Sequence, residues 1–178
     1  MGIVHPDRYF ARISVIDVQK DLLGCGITHA LLDMDNTLVS RASGDVPSDV
    51  RNWLSRARNA GVSFCIVSNN WHDTPRIHGR ELGIPVVAKA CKPLPHGLLA
   101  ARAAIGARSN DTVVIGDQLL TDVMGAHMLG MKAYLVAPLS EVDLRHTNAL
   151  KPLREALLAG FVPENEHAAS SCTPDARD

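Results

Sequence analysis

Two aspartates, Asp33 and Asp35, close a short apolar run in the stretch Ala30-Leu31-Leu32-Asp33-Met34-Asp35-Asn36-Thr37-Leu38. Side chains two apart on an extended strand point to the same face, so a buried strand ending here delivers both carboxylates to one place. Paired carboxylates resist joint ionisation unless a cation or a proton settles between them. Such a pair suits a magnesium-assisted attack by one carboxylate on a phosphoryl group. It also suits a plain acidic turn after a strand, and the residues at other strand ends must decide between the two.

Those ends carry matching chemistry. The run Phe64-Cys65-Ile66-Val67 leads into Ser68 and then Asn69-Asn70, and the next short run, Val86–Ala88, is followed by Lys92. Thr112-Val113-Val114-Ile115-Gly116 leads into Asp117, with Asp122 a little over one helical turn beyond. In a parallel sheet all these carboxyl ends lie on one edge, where ligands bind. An acid pair, a hydroxyl, a cation and further carboxylates make up a phosphoryl-transfer set. Taken singly each is weak: Ser68 reads as a turn residue, Lys92 as a solvated cation with Lys89 competing, and Asp117 and Asp122 as helix caps. Gly116 suggests close approach to a ligand. The eight histidines show no metal-binding spacing, and Cys91 reads as an inert thiol.

The elements that must position this set alternate. Helical stripes end at glycines over Ser48–Ala60, from Thr74 to Gly83, from Pro93 to Gly106, over Leu119–Leu129 and over Asn148–Ala159. Short apolar runs at Ala30–Leu32, Val62–Val67, Val86–Ala88, Val113–Ile115 and Ala133–Val136 lie between them. This rhythm predicts a single Rossmann-like α/β domain, a central parallel sheet with helices on both faces, over residues 1–162. Before the first strand, Val15, Val18 and Leu22 form a helical stripe after the aromatic pair Tyr9-Phe10. That stripe predicts a packing helix, with attachment to a membrane surface as its other use. From Pro163 to residue 178 the polar composition predicts a disordered tail.

Composition narrows the class. With 178 residues the chain can bury one full core, and 46% hydrophobic against 21% charged residues is the balance of a soluble globular protein. A net charge of -1 and the lack of any basic block give no footing for nucleic acid. Four cysteines far apart and no signal peptide predict reduced thiols and a cytoplasmic location.

Asp33-Met34-Asp35-Asn36-Thr37-Leu38-Val39 resembles the first motif, D-x-D-x-T, of the haloacid dehalogenase (HAD) superfamily of phosphatases. Ser68 fits the second motif, Lys92-Pro93 the third, and Gly116-Asp117-Gln118-Leu119-Leu120-Thr121-Asp122 the fourth. The match runs from about Pro6 to Phe161, and its wording is similar to subclass IIIA, the YqeG type, related to phosphatidylglycerophosphate phosphatases. The resemblance implies that Asp33 is the nucleophile and forms an aspartyl phosphate. Asp35 would protonate the leaving alkoxide and later deprotonate water. It implies Mg²⁺ held by Asp33, the backbone carbonyl of Asp35 and Asp117. Ser68, Asn69 and Lys92 would bind phosphate, Asp122 would order a metal-bound water or orient Lys92, and Thr37 would fix the loop.

The intervals Asn36–Val67 and Asn69–Cys91 hold only a helix and a strand each, too little for a cap domain. An open site admits a large phosphorylated substrate, such as a phospholipid head group met by peripheral contact with a membrane, or takes a lid from a neighbouring subunit in an oligomer. Phosphatidylglycerophosphate is the substrate the resemblance puts first. Soluble nucleotide, sugar-phosphate or phosphoprotein substrates form the second reading. A receiver-like phospho-aspartate switch or a non-catalytic binding protein would be of another class.

Overall fold

A computed structural model describes residues 2–140, 157–158 and 162–164. Six parallel strands form one sheet: β1 (Arg8–Phe10), β2 (His29–Leu32), β3 (Ser63–Val67), β4 (Val86–Val87), β5 (Thr112–Gly116) and β6 (Lys132–Val136), in the order β1-β6-β5-β2-β3-β4. The expected α/β class, with helices on both faces, is what forms. β2 sits between β5 and β3, with Leu32 opposite both Ile66 and Ile115. The chain winds outward from β2 through β3 to β4 and then returns to β5 on the other side. That reversal opens a crevice at the carboxyl ends of β2 and β5, the usual ligand position in such sheets. The helices are α1 (Ser48–Asn59), α2 (Thr74–Leu82), α3 (Pro95–Ala104) and α4 (Met124–Met128). None of the described helices is long and apolar enough to cross a membrane.

The strands read as unbroken apolar runs because both faces of the sheet are covered. Alternate residues serve opposite layers. Ala30, Leu32, Phe64, Ile66, Val113 and Ile115 pack with Val50, Trp53, Leu54 and Ala57 of α1. Leu31, Cys65, Val67, Val114, Ala133 and Leu135 pack with Leu98 and Ala101 of α3 and Ala126 of α4. The apolar stripe of α1 follows the 3.6-residue period, with Trp53 completing the row that Val50, Leu54 and Ala57 define. α2 stops at Gly83, which turns left-handed at φ 63° while the Ile84 N–H reaches back to the Gly79 carbonyl.

Three local expectations differ from the structure. Arg8–Phe10 is a strand pairing with β6, where the sequence showed only an aromatic pair. The N-terminal stripe is no continuous helix: it is a set of short turns, 3₁₀ at Ile13–Val15, π at Val18–Leu22 and 3₁₀ at Leu23–Cys25. Its side chains bury Ile13, Ile16 and Leu22 in the core, with Val15 and Val18 packed against it. The stripe is therefore used largely in packing, with Leu22 buried and Val15 and Val18 left partly exposed. The predicted Leu119–Leu129 helix begins as a wide π turn over Leu119–Val123 before α4. The helix expected over Asn148–Ala159 and most of the tail lie outside the described residues. Glu164, inside the expected tail, bridges Phe10 through backbone bonds to Tyr9 and Ala11 and pairs with Arg8.

Trp53 couples the N-terminal turns to α1. Its ring is fully buried, and its indole N–H donates to the Ile16 carbonyl at 2.8 Å. Replacing Trp53 with Ala removes the ring and leaves that buried carbonyl unpaired, at a cost of about 3–5 kcal/mol. Urea unfolding followed by circular dichroism should show a correspondingly lower midpoint; an unchanged midpoint would contradict this packing.

Candidate active site

The expected residues reach the same sheet edge from the ends of four strands, β2, β3, β4 and β5. Asp33 directly follows β2, where its backbone N–H still bonds the Ile115 carbonyl at 2.9 Å, so the carboxylate leaves the sheet from a fixed base. Beyond it the loop folds onto one acceptor: the N–H groups of Leu38 and Val39 both reach the Met34 carbonyl at 2.9 Å. Thr37 donates its own N–H to the same carbonyl, while its hydroxyl is buried without a hydrogen-bond partner among the described residues. The bend needs a left-handed residue, and Asn36 supplies it at φ 62°. Asn36 also accepts from the Ser140 hydroxyl at 2.7 Å and from the Arg41 N–H at 3.2 Å, and its carbonyl accepts from Leu139. Sequence reading gave Asn36 no role. The signal was there in its type, since Asn is among the few non-glycine residues that enter this conformation readily.

Lys92 is the centre of the site. Its ammonium is buried and donates to Asp33 Oδ1 and to Asp122 Oδ1, each at 2.6 Å. Lys89, the competing cation, is exposed and lies over the Trp71 ring. The backbone of Lys92 is held as firmly as its head group. Its N–H donates to Asn69 Oδ1 at 2.7 Å, and its carbonyl accepts from Asn69 Nδ2 at 3.0 Å. Asn69 thus ties the loop after β3 to the loop after β4. Ser68 is fully buried, and its Oγ accepts from the Asn70 N–H at 3.1 Å, leaving the hydroxyl proton to be donated elsewhere.

Asp122 is committed on both sides: Oδ1 to Lys92, and Oδ2 to the Gln118 N–H at 3.2 Å. Its bond to Lys92 is the contact that an orienting role would use. Gly116 explains how Asp122 comes so close. A Cβ at that position would lie 2.3 Å from Asp122 Oδ2, so glycine makes room for this carboxylate and not for an incoming ligand.

Carboxylate oxygens of Asp33, Asp117 and Asp122 all lie within 4.8 Å of one another. Burial raises Asp33 to about 7, opposed by the charge of Lys92 and reinforced by Asp122 and Asp35. Asp117 is raised well above the usual carboxylate range by burial and by repulsion from Asp33 and Asp122, against the pull of Arg41 and Lys92. Burial alone would lower Lys92, but Asp122 and Asp33 more than reverse this and hold it protonated. Three buried carboxylates thus share this edge with the Lys92 ammonium, with the Arg41 guanidinium also acting on Asp117. Asp33 Oδ2 and Asp117 Oδ1 are buried with no hydrogen-bond partner among the described residues. Two such hard oxygens within a buried cluster of three carboxylates fit a divalent cation bound by oxygen ligands. Asp35, two residues on, is only half-buried.

Replacing Lys92 with Met leaves Asp33 and Asp122 buried beside each other without a cation. Loss of one partner from a buried ion pair costs about 3–5 kcal/mol. Urea unfolding in the presence of a chelator should show that loss, and adding Asp122→Asn to the same chain should recover part of it. Equal midpoints for the native and Lys92→Met chains would rule out a buried ion triad.

A family model described as HAD-hydrolase-like matches residues 89–146, the span that carries Lys92, Asp117 and Asp122. Probable phosphatase YqeG of Bacillus subtilis (strain 168) is 33% identical over 138 residues, covering 78% of this chain and 80% of that protein. An uncharacterized protein from Listeria monocytogenes serotype 4b superposes with a TM-score of 0.53 at 17% identity, over 76% of this chain and all of its own. The cobalt-bound deoxy-D-mannose-octulosonate 8-phosphate phosphatase of Haemophilus influenzae does so with a TM-score of 0.51 at 12% identity, over 75% and 88%. The two structures speak for the fold alone, whereas the sequence relative spans most of both chains. On that relative, together with the family model, the chain belongs to the haloacid dehalogenase-like hydrolases, in the YqeG branch of the superfamily.

Proposed function

We propose that this phosphate-ester hydrolase is a magnesium-dependent phosphomonoesterase that works through an aspartyl phosphate on Asp33. The observation that carries the reading is the state of the Asp33 carboxylate, with one oxygen bonded to Lys92 and the other buried beside Asp117 without a hydrogen-bond partner among the described residues. In the first step the free oxygen of Asp33 attacks phosphorus, and the bond from phosphorus to the leaving oxygen breaks. Asp35 gives its proton to the departing alkoxide. Asp35 then takes a proton from water, whose oxygen attacks phosphorus and breaks the bond to Asp33, releasing inorganic phosphate. Lys92 offsets the charge that Asp33 shares with the phosphoryl group, and the Ser68 hydroxyl donates to a phosphate oxygen. Asp33, Asp117 and the backbone carbonyl of Asp35 would hold magnesium, which supplies Lewis-acid withdrawal of charge from the phosphoryl oxygens. Asp35 is what separates this reading from a long-lived phospho-aspartate switch, because a residue that activates water empties the intermediate.

The substrate reading rests on the short intervals around the site and on the resemblance to phosphatidylglycerophosphate phosphatases. Each interval between β2, β3 and β4 holds one α-helix, α1 or α2, and no cap. Phosphatidylglycerophosphate in mixed micelles should be hydrolysed faster than a panel of soluble nucleotide, sugar and protein phosphates. The reverse order would move the assignment to soluble substrates.

Asp33→Asn should reduce magnesium-dependent release of phosphate from an aryl phosphate to background, and a chelator should do the same to the native enzyme. Asp35→Asn should slow turnover about 10²–10⁴-fold and accumulate acid-stable, hydroxylamine-sensitive phosphoprotein. Full activity in Asp33→Asn would falsify the covalent route, and equal accumulation in the native enzyme would favour the switch. Asn69→Ala removes both bonds to the Lys92 backbone, and a shift of about 1 Å at a catalytic group can cost about 10²-fold. Its turnover should therefore fall by about 10- to 100-fold while its circular dichroism spectrum stays native. Native turnover in that variant would remove Asn69 from the positioning of Lys92.

A further inference from the structure

The two loops that carry Ser68 and Lys92 also carry large apolar groups exposed to solvent. Trp71 follows Ser68 by three residues and is 67% exposed; Leu94 follows Lys92 by two and is 55% exposed. Three residues reach at most about 11 Å, so Trp71 stands within that distance of Ser68, and Leu94 lies closer still to Lys92. The loops are joined to each other. Asn69 pairs with the Lys92 backbone, and the Lys89 ammonium sits 5.2 Å from the Trp71 ring centroid. Neither contact buries the indole. The sequence relations that place the catalytic set therefore also place an aromatic ring, an aliphatic side chain and a cation beside the mouth of the site. Of the nearby charges, Asp73 faces Arg76 at 3.7 Å, which leaves Lys89 as the uncompensated charge of the pair of loops among the described contacts.

We propose that Trp71, Leu94 and Lys89 form a rim that seats the open site on an anionic lipid bilayer. An indole with one apolar body and one polar tip settles at the level of lipid head groups, an aliphatic neighbour enters just below, and a lysine meets anionic phosphates. A protein surface would need a shaped counterpart, and a soluble phosphate ester would leave Leu94 unused. The exposed apolar and cationic groups together match a bilayer. The N-terminal stripe is not part of this rim: Leu22 is buried, and Val15 and Val18 pack, partly exposed, against the core. The inference deepens the lipid substrate reading and rests on it for the use of the rim, though not for its binding.

The chain's two tryptophans make the test direct. Trp53 is fully buried and Trp71 is exposed, so a change in emission on adding vesicles reports Trp71. Vesicles of equimolar phosphatidylcholine and phosphatidylglycerol should shift the emission of the full chain to shorter wavelength, and phosphatidylcholine alone should do so far less. Trp71→Phe should abolish the shift. Trp71→Ala with Leu94→Ser should lose co-sedimentation with the anionic vesicles several-fold while hydrolysing a soluble aryl phosphate at the native rate. Lys89→Gln should weaken binding and flatten its dependence on salt. No shift, an equal shift with neutral vesicles, or native co-sedimentation of the double variant would overturn the proposal. So would quenching of Trp71 by a soluble nucleoside monophosphate with no response to vesicles, which would make the ring a stacking subsite. A native chain that binds vesicles but hydrolyses no aryl phosphate would sink the phosphatase reading and leave the rim standing.

Discussion

Everything at the carboxyl edge of the sheet is arranged around one buried ammonium. Lys92 reaches Asp33 and Asp122 at equal distance, and all three are withdrawn from water. A charge cluster of this kind costs desolvation and contributes little to stability by itself, so it persists only where surrounding structure fixes it. Here the fixing is done from several directions. The Asn69 carboxamide grips the Lys92 backbone, the Gln118 N–H holds the second oxygen of Asp122, and the absent side chain at Gly116 gives that carboxylate its space. The Asp33 backbone stays bonded to β5. One oxygen of Asp33 is left over, and the reaction proposed for this site depends on it.

The sheet order explains why these supports can converge. Placing β2 between β3 and β5 makes the strand that carries Asp33 the neighbour of both the strand that ends in Ser68 and the strand that ends in Asp117. Lys92 comes from one strand further out, and its loop must be drawn inward. Asn69 does that by pairing with its backbone, and the Ala90 N–H bonds the Ser68 carbonyl at 3.0 Å. On the other flank, Asn36 clasps Ser140 and Leu139 of the loop after β6, so the turn after the acid pair is also pinned from outside the centre.

Much of this was readable in the sequence because both its periodicities and its strand ends were clear. The apolar runs of β2, β3, β5 and β6 are long enough to announce buried parallel strands, and the polar residues that follow them name the edge. What was hidden has physical reasons. β1 spans three residues, Arg8–Phe10, too few to show a period, and it is a strand only because β6 offers it an unpaired edge. Val15, Val18 and Leu22 keep a helical spacing, yet tertiary packing under Trp53 breaks the segment into separate turns. Lys92 and Lys89 cannot be separated by type, and only the fold shows one buried between carboxylates and the other on an indole. The grip of Asn69 depends on a loop 23 residues away and carries no local signal.

The burial of the acid pair follows the work proposed for it. Asp33 is buried and bonded to a cation, whereas Asp35, two residues on, is half-buried. A carboxylate that attacks phosphorus gains from losing its water, since solvation blunts its oxygen and a dry surrounding strengthens every charge aimed at the phosphoryl group. A carboxylate that hands protons to an alkoxide and takes them from water must keep contact with solvent. A lid is the common way to create such dryness, and none lies between these strands. Here dryness is set residue by residue within the Asp-x-Asp turn, where the tight fold of the loop onto the Met34 carbonyl buries the first acid and leaves the second at the boundary. An edge built in this way can keep its nucleophile dry while remaining open to a substrate much larger than the group it loses.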